Sequence, residues 1–377
     1  MSRIVHIANM YSPVSGGLRT AIHALGESYL ALGQDFVVVV PGKRFRKTRT
    51  SYGIKYEIPS IPIPGTGGYR IITRLRMVKR ILQQYSPTVL EISDRLTLLP
   101  LAKWAQKEGI QTVLFAHERV DGVLRAFTLK FVPVEKIADL WNRISAKWIT
   151  HLVATTKYAA AEYERIDLNP NIISLGVDLT RFSPNLRELD VKLKFEISGA
   201  FVFAMTRLSR EKDPYLLIEI ARELKLTGSS AQILVAGQGP LFRSLVKTSE
   251  LENLPIRFLG HIADRSHIAK LLASADVFLA AGPIETFGLA ALESLASGVP
   301  VICRDSGAIQ EIIDESCGSV LQRDPKIWIT EINEWVKRDY TIKSSSSRQR
   351  AEQFSWHTCA NELLLRYGVI NKEAKAA

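Results

Sequence analysis

The sequence predicts an α/β protein of two doubly wound domains, each a parallel sheet covered by helices. Three observations predict it. The chain has 377 residues, against roughly 150 for a typical domain. Short β-branched apolar runs alternate with amphipathic stretches, and this alternation halts at a charge-rich segment and then restarts. Apolar runs without polar alternation fit strands buried on both faces, as between two helix layers. With 46% hydrophobic and 23% charged residues, the chain can bury a core in each domain, which excludes disordered and fibrous classes.

The first half offers strands at residues 4–8, 36–40, 89–92, 112–116 and 151–154, with helical patterns between them. Residues 1–183 therefore form the expected first domain and residues 184–199 a polar linker. The second domain begins near residue 200, with strands at 201–205, 233–236, 256–259, 277–280 and 299–303. A serine run at 344–347 precedes a helical tail carrying Phe354, Trp356, Leu363, Leu364, Leu365 and Tyr367. By pattern alone that tail is a surface helix closing the second domain. Ligands of such sheets sit where strands end and loops enter helices, so those loops are the places to search.

Composition narrows the partners. The net charge is +11, and residues 41–80 alone hold 11 basic side chains and one acid, Glu57. Residues 181–377 hold 25 basic and 24 acidic side chains. A basic island usually meets phosphate, on nucleic acid or on an anionic membrane. Aromatic residues able to stack bases are thin there, with Phe45, Tyr52, Tyr56 and Tyr69 scattered, so nucleic-acid binding is the remote alternative. No apolar run approaches the roughly 20 residues of a spanning helix. The N-terminal apolar stretch is too short for a signal-peptide core, which points to the cytoplasm. The cysteines, Cys303, Cys317 and Cys359, are odd in number and lack ligand spacing, so neither disulfides nor a metal site is expected.

Four loops could carry chemistry. After the first strand, Gly16 and Gly17 precede a helix, where backbone can approach a ligand and helix N–H groups can meet an anion. Taken alone the pair serves a turn as readily. It is no G-x-G-x-x-G loop, which removes the support for a nicotinamide-linked oxidoreductase. His117 follows the fourth strand, placed to bond a substrate hydroxyl or to donate to a developing charge, or satisfied by a neighbouring carbonyl. After the first strand of the second half, Arg207 and Lys212 make a site for a diphosphate without a metal. After the strand at 277–280, Glu285 lies in a loop and Glu293 on the helix beginning near Phe287. Two such carboxylates accept hydrogen bonds from the vicinal hydroxyls of one elongated ligand.

These residues together resemble glycosyltransferase family 4, the retaining enzymes of the GT-B fold. The resemblance is carried by Glu285-Thr286-Phe287-Gly288 through Glu293, by Arg207 with Lys212, and by the Gly237-Gln238-Gly239-Pro240 turn. The Gly16-Gly17 loop and Gly176-Val177-Asp178 through Phe182-Ser183-Pro184 complete it, in the family's order and over nearly the whole chain. Within the family, Gly16 to Thr20 and residues 285–297 look most like actinobacterial mannosyltransferases that extend phosphatidylinositol mannosides. Two positions depart from the pattern: Leu175 stands where Asn is usual, and Ala308 where a second Gly is common.

The resemblance implies two Rossmann-like doubly wound domains facing a cleft, an acceptor domain first and a donor domain over residues 200–355. It implies that the final helix, within 356–377, returns to the first domain. Arg207 and Lys212 would neutralise the donor diphosphate, with Gly16 and Gly17 approaching it from the other domain. Glu285 would hold sugar hydroxyls beside the backbone of Phe287, Gly288 and Leu289. Glu293 would bind the ribose, Ile262 and Asp264 would meet the base, and His117 would sit beside the reacting bond. The implied reaction moves mannose from GDP-mannose to a phosphatidylinositol mannoside, with α configuration retained by front-face attack and the leaving diphosphate taking the acceptor proton. A UDP-sugar enzyme acting on another glycolipid or a small soluble acceptor is the alternative. No cofactor or metal is implied beyond the nucleotide sugar itself.

The basic island acquires a use in this setting. Ile71, Ile72, Leu75, Val78, Ile81 and Leu82 recur at helical spacing, with Arg70, Arg74, Arg76, Lys79 and Arg80 on other faces. A basic amphipathic helix of this kind docks on an anionic membrane, here the inner face of the cell membrane, while its apolar stripe packs partly on the sheet.

Overall fold

The computed structural model describes residues 2–11, 16–63, 68–116, 119–127, 132–188 and 190–371. The chain forms two compact units, Met1–Gly176 with Trp356–Ala377, and Val177–Ser355.

In the first unit the strands run β1 (Arg3–Ile7), β2 (Asp35–Gly42), β3 (Arg46–Thr50), β4 (Gly53–Pro59), β5 (Ile61–Pro62), β6 (Arg70–Ile71), β7 (Val89–Ile92), β8 (Gln111–Ala116), β9 (His151–Ala154) and β10 (Asn171–Ile172). Eight of them make one sheet in the order β10-β9-β8-β7-β1-β2-β4-β3, while β5 and β6 form a separate ribbon. Its pairs are parallel except β3 against β4. Val5, Ile7, Val37, Val39, Leu90 and Ile92 are buried in its core, as helix cover on both faces requires.

The β3–β4 hairpin was not among the expected strands, because basic residues mask its period. Tyr56 and Ile58 turn inward on β4 while Arg46, Lys47 and Arg49 stay exposed on the edge strand β3. Cations on an edge strand discourage pairing with another chain. The expected basic helix also needs correction at its start. It spans Leu75–Tyr85, and Arg70 and Ile71 belong to β6. Val78, Ile81 and Leu82 are its buried stripe.

The second unit holds β11 (Phe201–Met205), β12 (Gln232–Ala236), β13 (Ile256–Gly260), β14 (Val277–Ala280), β15 (Val301–Arg304) and β16 (Gly318–Leu321). All are parallel, in the order β13-β12-β11-β14-β15-β16. Counted within the unit this is 3-2-1-4-5-6, whose strand order reverses between β11 and β14 and so opens a crevice at their C-terminal ends. Trp328 and Trp335, on the helix Pro325–Lys337, pack into its core with Val202, Ile233 and Val235.

Residues 184–199, read from sequence as a linker, lie within this second unit. They contain the turn Pro184–Leu186 and the helix Asp190–Lys194, and Lys192 Nζ donates to Asp276 Oδ2 at 2.7 Å. The chain passes between units at Gly176/Val177 and Ser355/Trp356. The serine run lies inside the helix Tyr340–Glu352, where Ser344 and Ser347 are buried. The terminal helix Trp356–Arg366 belongs to the first unit. Just beyond it, Tyr367 donates to Glu91 Oε1 at 2.9 Å and accepts from Gln111 Nε2 at 3.0 Å through its carbonyl.

Candidate active site

The crevice of the second unit gathers most of the donor residues read from sequence. Arg207 and Lys212 lie on the loop after β11, which is held from beneath by the turn after β12. Gly237 there has φ of 147°, and a Cβ on it would stand 1.8 Å from the Thr206 carbonyl oxygen. A Cβ on Gly239 would stand 2.3 Å from the Leu208 carbonyl oxygen. Only glycine permits this contact, so the Gly237-Gln238-Gly239 turn fixes the Arg207 loop. At the far end of the loop Asp213, at φ 42°, accepts from Arg323 Nε at 2.7 Å and Arg304 Nη1 at 3.3 Å. Lys212 is anchored on both sides.

Its ammonium donates to Glu285 Oε1 at 2.7 Å and to the Ile284 carbonyl at 2.9 Å. An ammonium has three N–H groups, so one remains for an incoming phosphate oxygen. Glu285 is itself fixed by the loop after β15, since Ala308 N–H donates to the Glu285 carbonyl at 2.7 Å. Gly307, at φ 88°, would bring a Cβ within 3.2 Å of the Glu285 nitrogen. The loops after β11, β14 and β15 therefore meet around one ion pair. The Ala308 departure costs this contact nothing, because Ala308 adopts an ordinary helical backbone.

The helix Leu289–Ala296 opens toward the same end, capped by Gly288 at φ 93°. A Cβ at Gly288 would lie 2.5 Å from Ile309 Cγ1. The first helical bond runs from Leu292 to the Gly288 carbonyl, which leaves the N–H groups ahead of it free of helix partners. Those donors and the helix dipole suit a negative group. Phe287 is buried beneath them and tilts edge-on to Phe354.

One turn further along, Glu293 is 4% exposed, and its Oε1 accepts from Arg265 Nη2. Burial pushes this carboxyl above the usual range, and Arg265 pulls against that shift. Arg265 was missed in the sequence. It stands 28 residues from Glu293 on another helix, a separation that no local spacing rule reaches. Ile262 and Asp264 lie just before it. Asp264 caps the helix Arg265–Ser274, accepting from Ser266 N at 2.8 Å, so its carboxylate has a structural task.

Residues assigned to the first unit are placed more sparsely. His117 lies outside the described residues. Gly16 and Gly17 open the helix Gly17–Ala31, and among the described residues nothing lies within 4 Å of a Cβ on Gly16. Among the described residues, packing does not demand glycine at position 16. At the strand ends of this sheet the structure shows a network the sequence did not suggest. Asn9 Nδ2 donates to Asp94 Oδ2 at 2.8 Å and to Thr97 Oγ1 at 2.6 Å, and Asn9 Oδ1 accepts from Ile72 N at 2.9 Å. Of the basic-helix residues, Arg74, Arg76 and Arg80 are exposed. Arg70 instead bonds the Ser60 carbonyl, and Lys79 lies over the Trp104 ring at 5.1 Å.

Residues 15–181 match the family described as Glycosyltransferase Family 4, and residues 187–353 match Glycosyl transferases group 1. A GDP-mannose-dependent alpha-(1-6)-phosphatidylinositol dimannoside mannosyltransferase of Mycobacterium tuberculosis is 37% identical over 98% of this chain and 96% of its own length. The chain belongs to glycosyltransferase family 4. A GDP-mannose-dependent alpha-mannosyltransferase of Corynebacterium glutamicum is 23% identical over 98% of the glycosyltransferase and 89% of its own length. Sucrose-phosphate synthase of Thermosynechococcus elongatus shares the GT-B fold, with a TM-score of 0.78, 18% identity, and coverage of 98% and 99% of the two chains. The glycosyltransferase is thus a hexosyltransferase of two Rossmann-like units. Among its described residues no helix is long and apolar enough to cross a membrane.

Proposed function

We propose that this glycosyltransferase moves mannose from GDP-mannose onto a phosphatidylinositol mannoside, with retention of the α configuration. The observation that carries the reading is the Lys212–Glu285 pair, locked by three loops at the crevice of a chain so similar to the mycobacterial enzyme. Arg207 and Lys212 meet the donor diphosphate with the N–H groups around Phe287, Gly288 and Leu289. Placed cations and oriented amides of this kind stabilise the charge that grows on a leaving diphosphate. Glu285, steadied by Lys212, accepts from sugar hydroxyls, Glu293 accepts from the ribose, and Ile262 and Asp264 flank the base. The departing diphosphate takes the acceptor proton, so no protein nucleophile is needed. With these cations in place the donor binds without a divalent ion, and chelator should leave turnover intact.

The acceptor side of the proposal is a membrane. Arg74, Arg76 and Arg80 are exposed, with Phe45 and Ile61 exposed on neighbouring segments at 51% and 59%. Each cation near an anionic surface contributes about 1 kcal/mol, enough together for reversible attachment to the inner face of the cell membrane.

Mass spectrometry of membrane lipid extract incubated with the purified protein tests the reading. The expected product is a phosphatidylinositol mannoside one hexose heavier, formed with GDP-mannose. Product formed only from UDP-hexoses would overturn the donor assignment.

A further inference from the structure

Phe182 and Asp178 mark a family pattern in the sequence, and the structure gives their segment a task. Phe182 is 1% exposed, and the Arg265 guanidinium lies over its ring at 5.1 Å. Arg348 Nη1 donates to the carbonyls of Phe182 at 2.7 Å, Leu179 at 3.1 Å and Ala296 at 3.0 Å. Ala296 ends the helix that carries Glu293. The ring under Arg265 and the carboxylate before it are therefore fixed to one another through a single cation.

We propose that Arg265 is a positioning residue for the donor nucleotide, seated on Phe182 so that it occupies Glu293 Oε1 and leaves Oε2 for the ribose diol. This rests on Glu293 being the ribose acceptor. Among the described residues Oε2 accepts no hydrogen bond, while Oε1 is taken by Arg265. A buried carboxylate without a partner takes up a proton. Protonation would turn a charged acceptor into a neutral carboxyl, whose hydrogen bonds to the ribose hydroxyls are weaker. Arginine suits this post because it stays charged and lies flat on an aromatic face, which lysine does not.

The test compares GDP with 2′,3′-dideoxy-GDP by calorimetry on the full chain. Hydrogen bonds to a charged group predict that the wild type binds GDP about 10- to 100-fold more tightly than the dideoxy nucleotide. Glu293→Gln should shrink that ratio, and Arg265→Met should shrink it about as far, with Arg265→Lys between. The charged groups acting on Glu293 are Arg265, Arg181 and Asp178. Without Arg265 the carboxyl ionises at higher pH, so the ratio in Arg265→Met should be low at neutral pH and rise with pH more than it does in the wild type. A wild-type ratio in Arg265→Met, beside a reduced one in Glu293→Gln, overturns the proposal alone. A wild type blind to the ribose hydroxyls overturns the reading of Glu293 and the proposal with it. If Arg265→Met binds neither nucleotide, Arg265→Lys decides, and a wild-type ratio there that ignores pH also overturns the proposal.

Discussion

At the ends of β11 and β14 the second unit carries Lys212, Glu285 and the start of the helix Leu289–Ala296, with the ion pair closed at 2.7 Å. At the corresponding ends of β1 and β7 the first unit carries Asn9, Asp94 and Thr97, joined by hydrogen bonds, while the buried Arg95 beside them donates to Glu162 and Asn142. Its surplus charge lies instead on β3 and the helix Leu75–Tyr85. The two sheets teach that charge serves in two ways. Cations placed by fixed loops form bonds with one ligand, whereas exposed cations add up to a field that salt screens. The unit proposed to handle the diphosphate is the nearly neutral one.

The strongest way to separate the units is to break the first without touching the second. Glu91 is fully buried on β7, accepting from His6 Nδ1 at 2.8 Å, Tyr29 at 2.7 Å and Tyr367 at 2.9 Å. Glu91→Ala strands these donors in the core and should cost about 3–5 kcal/mol of stability. The terminal helix, held there through Tyr367, should become sensitive to protease. Nucleotide binding by the second unit should persist. Unchanged melting in this variant would show that the hub does not hold the first unit together.

Next in size is the converse experiment. Lys212→Ala removes a placed cation from the crevice and should lower turnover about 100- to 1000-fold, as loss of one stabilising donor does elsewhere. Lys212 is partly exposed and outside the core, so melting should be nearly unchanged. Wild-type turnover would remove the lysine from the mechanism. Replacing Arg74, Arg76 and Arg80 together by Ala tests the dispersed charge. At about 1 kcal/mol each, vesicles rich in anionic lipid should be bound about 100-fold more weakly. Added salt should imitate the substitution in the wild type. Equal binding of wild type and variant, or wild-type binding to neutral vesicles, would break the comparison.

The same contrast explains what could be read before the structure. β7, β9, β11 and β14 lie at the residues where apolar runs placed them. Fully buried strands need such runs, and few other residues can supply them. β4 was hidden because Lys55 and Glu57 alternate with Tyr56 and Ile58 and interrupt the apolar run, and β3 because three of its five residues are basic. β10 is only two residues long, and β16 opens on Gly318 and Ser319, so neither carries an apolar run. In the crevice, Lys212 and Glu285 could be named because each closely follows a strand. Arg265 and the Asp213–Arg323 support could not, since each joins residues brought together only by the tertiary fold. Asn9 was passed over because an amide in a loop has no distinctive spacing. Its partners Asp94 and Ile72 lie more than 60 residues away.

Acid should also tell the units apart, with the smallest effect. His23, on the helix Gly17–Ala31, stacks on Tyr52 with ring centroids 3.8 Å apart, and its Nε2 pairs with Tyr11 OH at 2.7 Å. Burial, reinforced by Arg19 and Lys55, pushes the imidazole down to about 4. The unfolded chain protonates this histidine at about pH 6.5, before the folded one does. Its contribution to stability is therefore whole above that pH, declines as pH falls, and is gone below about 4. Because the ring is only half-buried, about 1–2 kcal/mol is the expected loss after solvent screening. His23→Gln keeps a side chain able to bond Tyr11 and cannot titrate. Between about pH 7 and pH 5 the wild type should lose more stability than this variant, and where the units melt separately the difference should fall on the first. Parallel losses in the two proteins would mean that His23 takes up its proton without cost to the fold.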